Sequence, residues 1–251
     1  MILVTGAHGN LGSAALAALR AAGATATGGS RTPGEGMRRL DFDHPATLDL
    51  TGVSTLLLVS AGYAEDDVVL ARHAAVLDAA VRDGVGHLVY TSLTTAGDHL
   101  GFALAHRATE RLVRTSGLPW TILRNGLYAE LFGSMLSWTA RGLESPFADG
   151  ALAAVARQDL AEAAAAVAAD PARHTGRTYD LVGAPVTADQ VATRLGVAHH
   201  TIPLGEFRRR LLEDSPGLLP FQAPMAASIA TAIRHDFLAA PSPDLTALLP
   251  H

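Results

Sequence analysis

The sequence contains no cysteine, and its 19 Lys+Arg residues are all arginine, so lysine is missing as well. The first absence excludes disulfide frameworks, thiolate metal sites and cysteine nucleophiles. The second excludes Schiff-base chemistry, a phosphate-gripping lysine of the nucleoside-triphosphatase kind and any tyrosine-lysine catalytic pair. Aromatic residues are scarce, at 5%. A formal net charge of -5 leaves no basic field for nucleic acid or an anionic membrane. Long hydrophobic runs are also lacking: the N-terminal apolar run is too short and has no basic flank for a signal peptide, and the longer ones are broken by charge. These absences predict a cytoplasmic protein, monomer or homodimer, with a small-molecule partner and with any redox chemistry supplied by a cofactor.

What is present is enough for a core. With 251 residues, 49% of them hydrophobic, the chain suits a single large α/β domain, or a main domain with a smaller lobe. The stretch that organises it is Thr5-Gly6-Ala7-His8-Gly9-Asn10-Leu11-Gly12, between the apolar run Ile2-Leu3-Val4 and the helical pattern from Ser13 to Leu19. A diphosphate needs backbone N–H donors and the positive end of a helix dipole, and glycines let the backbone come near enough. On that reading Gly6 permits the turn, Gly9 admits the pyrophosphate, and Gly12 lets the helix lie on the strand. The spacing is G-x-x-G-x-x-G. A glycine-rich helix start with no nucleotide is the plainer alternative.

A second strand is predicted over Ala24–Thr27, followed by Gly28-Gly29-Ser30-Arg31. An acidic residue at that strand end would bind a ribose 2′-hydroxyl, whereas Arg31 beside Ser30 suits a 2′-phosphate, so NADP(H) is expected over NAD(H); a solvated loop arginine is the plainer alternative. Arg38–Leu40 reads as a short third strand. The Asp41-Phe42-Asp43 loop after it either meets the adenine or is an ordinary capped turn before a brief helix at 46–50. Thr55–Val59 is a continuous apolar run, the mark of a parallel strand buried on both faces, and it places Ser60, Ala61 and Gly62 at its carboxyl end. Helices are predicted at 67–81 and 101–115, the latter with Ala105, Ala108, Leu112 and Val113 buried, and strands at 87–91, 120–125 and 178–182. Strands alternating with helices predict a doubly wound parallel sheet of the Rossmann type, an α/β fold. The segment 126–156 has large apolar residues without strand alternation and reads as a pocket wall. After a short helix at 161–169, residues 184–251 read as a small C-terminal substrate cap, with helices at 188–195, 206–212 and 224–238 and a strand at 201–204. The whole of 1–251 is expected to form one Rossmann-like domain, with 126–156 and 184–251 making the smaller lobe.

Several separated segments resemble the short-chain dehydrogenase/reductase superfamily, and more closely its atypical NmrA-like branch of quinone oxidoreductases and triphenylmethane-dye reductases. They are the glycine turn, Ser30-Arg31-Thr32-Pro33, Leu57-Leu58-Val59-Ser60, Gly84 to Leu93, Leu123-Arg124-Asn125-Gly126-Leu127-Tyr128 and Arg157-Gln158-Asp159-Leu160-Ala161. The resemblance implies NADPH along the carboxyl edge of the sheet, held by Gly6, His8, Gly9, Asn10, Leu11, Gly12, Ser30, Arg31, Asp41, Phe42, Val59, Ser60, Ala61, Thr91 and Ser92. It also implies a substrate pocket beneath the segment holding Asn125 and Tyr128; Trp138 is among the large apolar residues of 126–156 read above as a pocket wall. The superfamily's tyrosine and lysine are replaced here by His106 and Glu110. Four apart on a helix, these two share a face, where the carboxylate would keep the imidazole protonated as a proton donor; a surface ion pair is the alternative. No histidine, the His199-His200 pair included, has companions resembling a metal site. The implied activity is NADPH-dependent hydride transfer to a quinone or similar conjugated acceptor. Two rivals remain: a non-catalytic NADP(H)-sensing regulator of the NmrA-like type, and a pathway-specific ketone or imine reductase.

Overall fold

The computed structural model describes residues 1–61, 64–214, 217–219 and 221–249; Gly62 lies outside them. In chain order the elements begin β1 Ile2–Val4, α1 Asn10–Ala21, β2 Ala26–Ser30, β3 Arg38–Arg39, β4 Thr55–Leu58, α2 Asp66–Arg82, β5 His87–Leu93, α3 Ala103–Thr115 and β6 Trp120–Asn125. They continue with α4 Ala129–Ser134, β7 Ser137–Thr139, β8 Gly142–Ser145, β9 Ala151–Ala153, α5 Arg157–Ala169, β10 Arg177–Leu181 and β11 Pro185–Thr187. The last are α6 Ala188–Leu195, β12 His199–Thr201, α7 Leu204–Asp214, α8 Gln222–Arg234 and α9 Asp244–Leu248.

Seven parallel strands form the main sheet in the order β10-β6-β5-β4-β1-β2-β3. Alternating side chains divide its two faces. Ile2 and Val4, Leu57, Val89 and Leu123 pack with α1 and α5, whereas Leu3, Leu56 and Leu58, Leu88 and Tyr90, and Ile122 pack with α2 and α3. This is the doubly wound Rossmann architecture. The strand order reverses between β1 and β4, which is where open α/β sheets leave a crevice at the carboxyl edge.

Beyond this sheet lies a second core, where Leu127, Phe132, Phe147, Leu152, Phe207 and Ile233 meet Leu93, Leu100 and Ala103 from the sheet's carboxyl end. It is built from α4, the β12-β8-β7 and β11-β9 sheets, α7 and α8. The segment 126–156 is therefore a short helix and three strands. Finally α9 returns to the main sheet, burying Leu245 in the α1–α5 core.

Element bounds and burial differ from the sequence expectation at several places. The second strand is Ala26–Ser30 because Gly28 is a packing glycine: a Cβ there would sit 2.6 Å from the Cβ of Ala7. The helix expected at 46–50 is a single 3-10 turn, Pro45–Thr47. The cap strand is His199–Thr201, paired with β8, and the next helix already starts at Leu204. Along α3, Leu112 is exposed and Ala108 half-buried, while Thr109 and Glu110 are buried beside Ala105 and Val113.

Candidate functional site

The glycine turn stands where its motif demands. Gly6 has φ +61°, a left-handed conformation that other residues rarely adopt. A Cβ on Gly12 would lie 2.3 Å from the Gly6 carbonyl oxygen, so only glycine allows α1 to start this close to β1. Helix α1 begins after Gly9 with no side-chain cap and no acidic residue in its first turn, leaving its first N–H groups for a ligand. Gly6, His8, Gly9 and Asn10 are exposed along this turn. Leu11, by contrast, is 7% exposed and packs in the α1–α5 core, so only its backbone is available.

Next to the turn, the hydroxyl of Ser30 at the end of β2 lies 3.0 Å from Nδ1 of His8 and accepts the N–H of Thr32 at 3.3 Å. Arg31 is exposed beside it. The carboxylate of Asp41 is taken by His44 at 2.9 Å and by the backbone N–H of Asp43, and Phe42 packs against the α2–α3 core, so this loop is a capped turn in the structure. Just past β4, the N–H of Val59 donates to Thr5 Oγ1, that of Ser60 to Thr91 Oγ1 at 3.0 Å, and that of Ala61 to Nε2 of His73 at 2.9 Å. The strand ends are thus cross-tied just beneath the crevice.

Ser92 departs from expectation. It points to the α3 face, where its hydroxyl donates to Glu110 at 2.7 Å. Glu110 is 1% exposed and also holds Arg107, Arg114 and Arg124 at 2.8, 3.0 and 2.7 Å. Burial alone would raise its carboxyl, but the hydrogen bonds from Arg124 and Ser92 and the charges of Arg124 and Arg107 hold it at about 2. Arg107 continues to the carbonyls of Leu93 and Thr94, and Asp180 accepts the Thr94 hydroxyl and the Thr95 N–H.

This arrangement corrects the expected role of Glu110. The carboxylate is committed to three guanidinium groups, and burial together with the Arg107 charge pulls the His106 imidazole down to about 4. At neutral pH His106 is uncharged. Its Nδ1 lies 3.2 Å from the hydroxyl of Tyr90. Thr109, also on α3, meets Nδ1 of fully buried His73 at 2.8 Å, whose pKa burial brings to about 3. The His73 ring stands edge-on to Tyr90 with centroids 5.6 Å apart, so two neutral imidazoles flank the Tyr90 ring.

Of the expected substrate contacts, Trp138 is 64% exposed on β7 and Tyr128 lies half-buried under the Arg157 guanidinium, 4.7 Å away. Asn125 is buried at the end of β6, on the strand face that carries Leu123, and its Oδ1 has no hydrogen-bond partner. The cavity lies elsewhere. About 510 Å³ of space opens between the start of α2 at Asp66, Phe102 before α3, and Phe221, Pro224, Met225 and Ser228 of α8. None of these residues was picked out by sequence: Phe221 and Met225 sit in a cap whose placement no motif announces. A second space of about 360 Å³, lined by Phe42, Pro45, Val68 and Ala71, lies under the Arg72–Asp43 ion pair.

Taken together, an uncapped helix start, a glycine cradle that a Cβ would fill and an orphaned amide oxygen at one sheet edge fit a bound dinucleotide. The fold and site define a Rossmann-type nucleotide-binding protein. The NAD(P)H-binding family model matches residues 6–171, and the chain belongs to that family. It is 36% identical over 168 residues to quinone oxidoreductase 2 of Escherichia coli, covering 63% of this chain and 57% of that protein. It is 34% identical over 180 residues to an NmrA-like family domain-containing oxidoreductase of Aspergillus flavus, covering 63% of this chain and 58% of that protein. The match thus spans little more than half the length of these two relatives. Among solved structures, the Citrobacter sp. triphenylmethane reductase complexed with NADP(H) superimposes with a TM-score of 0.88 at 30% identity, covering 98% of this chain and 94% of that one. No helix among the described residues is long and apolar enough to cross a membrane.

Proposed function

We propose that the protein is an NADPH-dependent reductase that passes hydride to a quinone or a similar flat conjugated acceptor. The observation that carries this reading is the cavity lined by Phe102, Phe221 and Met225, an apolar slot of a size suited to an aromatic small molecule. Its lining includes Ala64 and Glu65, close in sequence to Ala61 at the strand end expected to hold the nicotinamide. Similarity to a quinone oxidoreductase and a triphenylmethane reductase supports the same acceptor class.

The nicotinamide, when bound, supplies the hydride. The protein's part is to hold and orient: the α1 N–H groups and the glycine turn take the diphosphate, Ser30 and Arg31 take the 2′-phosphate, and Phe102, Phe221 and Met225 press the acceptor flat and dry. A quinone receives two electrons as hydride and one proton to become the hydroquinone. Its reduced oxygen is delocalised, so hydrogen bonds stabilise the anion until water delivers the proton, and a charged acid is not required. That matches a site whose His106 and His73 are neutral.

Steady-state oxidation of NADPH with a panel of quinones, enones and cationic dyes tests the reading. Turnover of at least one quinone or dye is expected. Tight NADPH binding with no turnover across the panel overturns it in favour of a nucleotide sensor.

A further inference from the structure

We propose that His8 is a specificity-determining residue that, when protonated, joins Ser30 and Arg31 around the ribose 2′-phosphate, so that the preference for NADPH over NADH strengthens as pH falls. This rests on the nucleotide-binding reading above. Its starting point is the 3.0 Å contact between His8 Nδ1 and Ser30 Oγ, which joins the glycine turn to the end of β2.

The hydroxyl of Ser30 has one hydrogen to donate and two lone pairs to accept with. One lone pair takes the Thr32 N–H at 3.3 Å. If His8 carries a proton on Nδ1, the second lone pair takes that N–H, and the Ser30 hydrogen is released to point at an anion. If Nδ1 is bare, Ser30 spends its hydrogen on the imidazole. Full protonation of His8 adds a positive charge and guarantees an N–H on Nδ1, which frees the Ser30 donor that the neutral Nε2–H tautomer would tie up. Charge-assisted hydrogen bonds are roughly twice as strong as neutral ones, so both changes favour the phosphorylated nucleotide.

Arg31 follows Ser30 just past the end of β2, and the first turn of α1 contributes no acidic residue. The nearby loop carries Asp41 and Asp43, but Asp41 is held by His44 and Asp43 by the bidentate guanidinium of Arg72. No carboxylate among the described residues pairs with His8.

Linkage gives the sign. Whatever factor protonation adds to NADPH affinity, NADPH must add to the proton affinity of His8. The complex then holds an extra proton between the free and the bound pKa, and affinity climbs as pH drops through that window. Protonation of the phosphate itself, near pH 6, acts the other way and sets the lower limit of the useful range.

Calorimetric titration of the intact protein with NADPH and with NADH at pH 8.5 and pH 6.5 measures the Kd ratio directly. The ratio of NADH to NADPH Kd is expected to rise on acidification toward a limit of about fivefold, a coupling at the low end of the usual range. His8→Asn, which keeps a polar group but no titration, is expected to flatten it; Arg31→Ala is expected to lower the ratio at both pH values while keeping the pH dependence. Histidine NMR supplies an independent readout: the signal missing in His8→Asn should titrate about 0.7 units higher with NADPH, the logarithm of that fivefold coupling, and not with NADH. A ratio that does not change with pH, or the same slope in His8→Asn, overturns the assignment while leaving nucleotide binding intact. Failure of NADPH to bind at either pH overturns both.

Discussion

Ser92 donates its hydroxyl to the buried carboxylate of Glu110 at 2.7 Å, joining the end of β5 to α3 on the face of the sheet away from α1. Removing one partner from a buried ion cluster leaves the others uncompensated, at a cost of about 3 kcal/mol. Glu110→Gln strands Arg107, Arg114 and Arg124 together. Its melting temperature is expected to fall by about 6–12 °C for a chain of this size, read by circular dichroism. A loss under about 2 °C would mean that the cluster contributes little.

Acid stability carries a sign that the two inner histidines determine. His73 and His106 are held down at about 3 and 4, whereas in the unfolded chain they take up protons near 6.5. Below that value the unfolded state binds protons that the native state refuses, so stability falls as pH is lowered from 7 toward 4. Each histidine adds a slope of about 1.4 kcal/mol per pH unit. Glu110 acts lower down: its carboxyl, held at about 2, contributes stability above the unfolded carboxylate value near 4.3 that is lost as pH falls toward 2. Urea unfolding at pH 7, 5.5 and 4.5 checks the upper window, and His106→Gln is expected to flatten part of it.

His106 is uncharged at neutrality, so its removal should not act as the loss of an acid. For quinone reduction, His106→Asn is expected to lower kcat by less than about tenfold and to leave the pH–rate profile between pH 5.5 and 8 unchanged. Abolished turnover would point instead to a ketone or imine reductase, whose product needs a proton delivered in the site.

The glycine cradle predicts separate failures. Gly6→Ala forces a side chain into the left-handed region and is expected to cost about 1–2 kcal/mol of stability. Gly12→Ala pushes its new methyl into the Gly6 carbonyl, displacing the turn, and is expected to weaken NADPH binding beyond its effect on folding. Fluorescence titration of the reduced nucleotide beside a thermal melt separates the two.

The cavity is tested by filling it. Met225→Trp adds volume opposite Phe102, and KM for the quinone is expected to rise about tenfold or more with NADPH affinity unchanged. An unchanged KM would place the acceptor elsewhere.

The parallel sheet was readable because its strands announce themselves: Leu56-Leu57-Leu58 is apolar on both sides, and a two-faced strand needs that. The glycine turn was readable because each glycine has a separate steric duty. Gly28 and Gly29 misled, since a glycine that admits a neighbouring side chain looks in sequence like one that bends the chain. The polar interior was mostly hidden. Glu110 finds Arg124 fourteen positions away, Thr94 finds Asp180 across 86, and pairing at such distances leaves no periodic trace. Arg124 inside an otherwise apolar strand, and Thr109 with Glu110 along the buried stripe of α3, were the available hints. The cavity under α8 left none, because it is made where α8 happens to cross the starts of α2 and α3.

The chain passes between the main sheet and the smaller lobe repeatedly: out after Asn125, back at Arg157, out again beyond Leu181, and home at Asp244 where α9 docks. A lobe joined by so many threads is tied to the sheet at several points, and α9 makes the last of them, where the Asp180 N–H of β10 donates to Asp244 at 2.8 Å. Cutting the polypeptide ahead of α9 would take away that bond and the Leu245 packing together, leaving the edge strand of the sheet less firmly held.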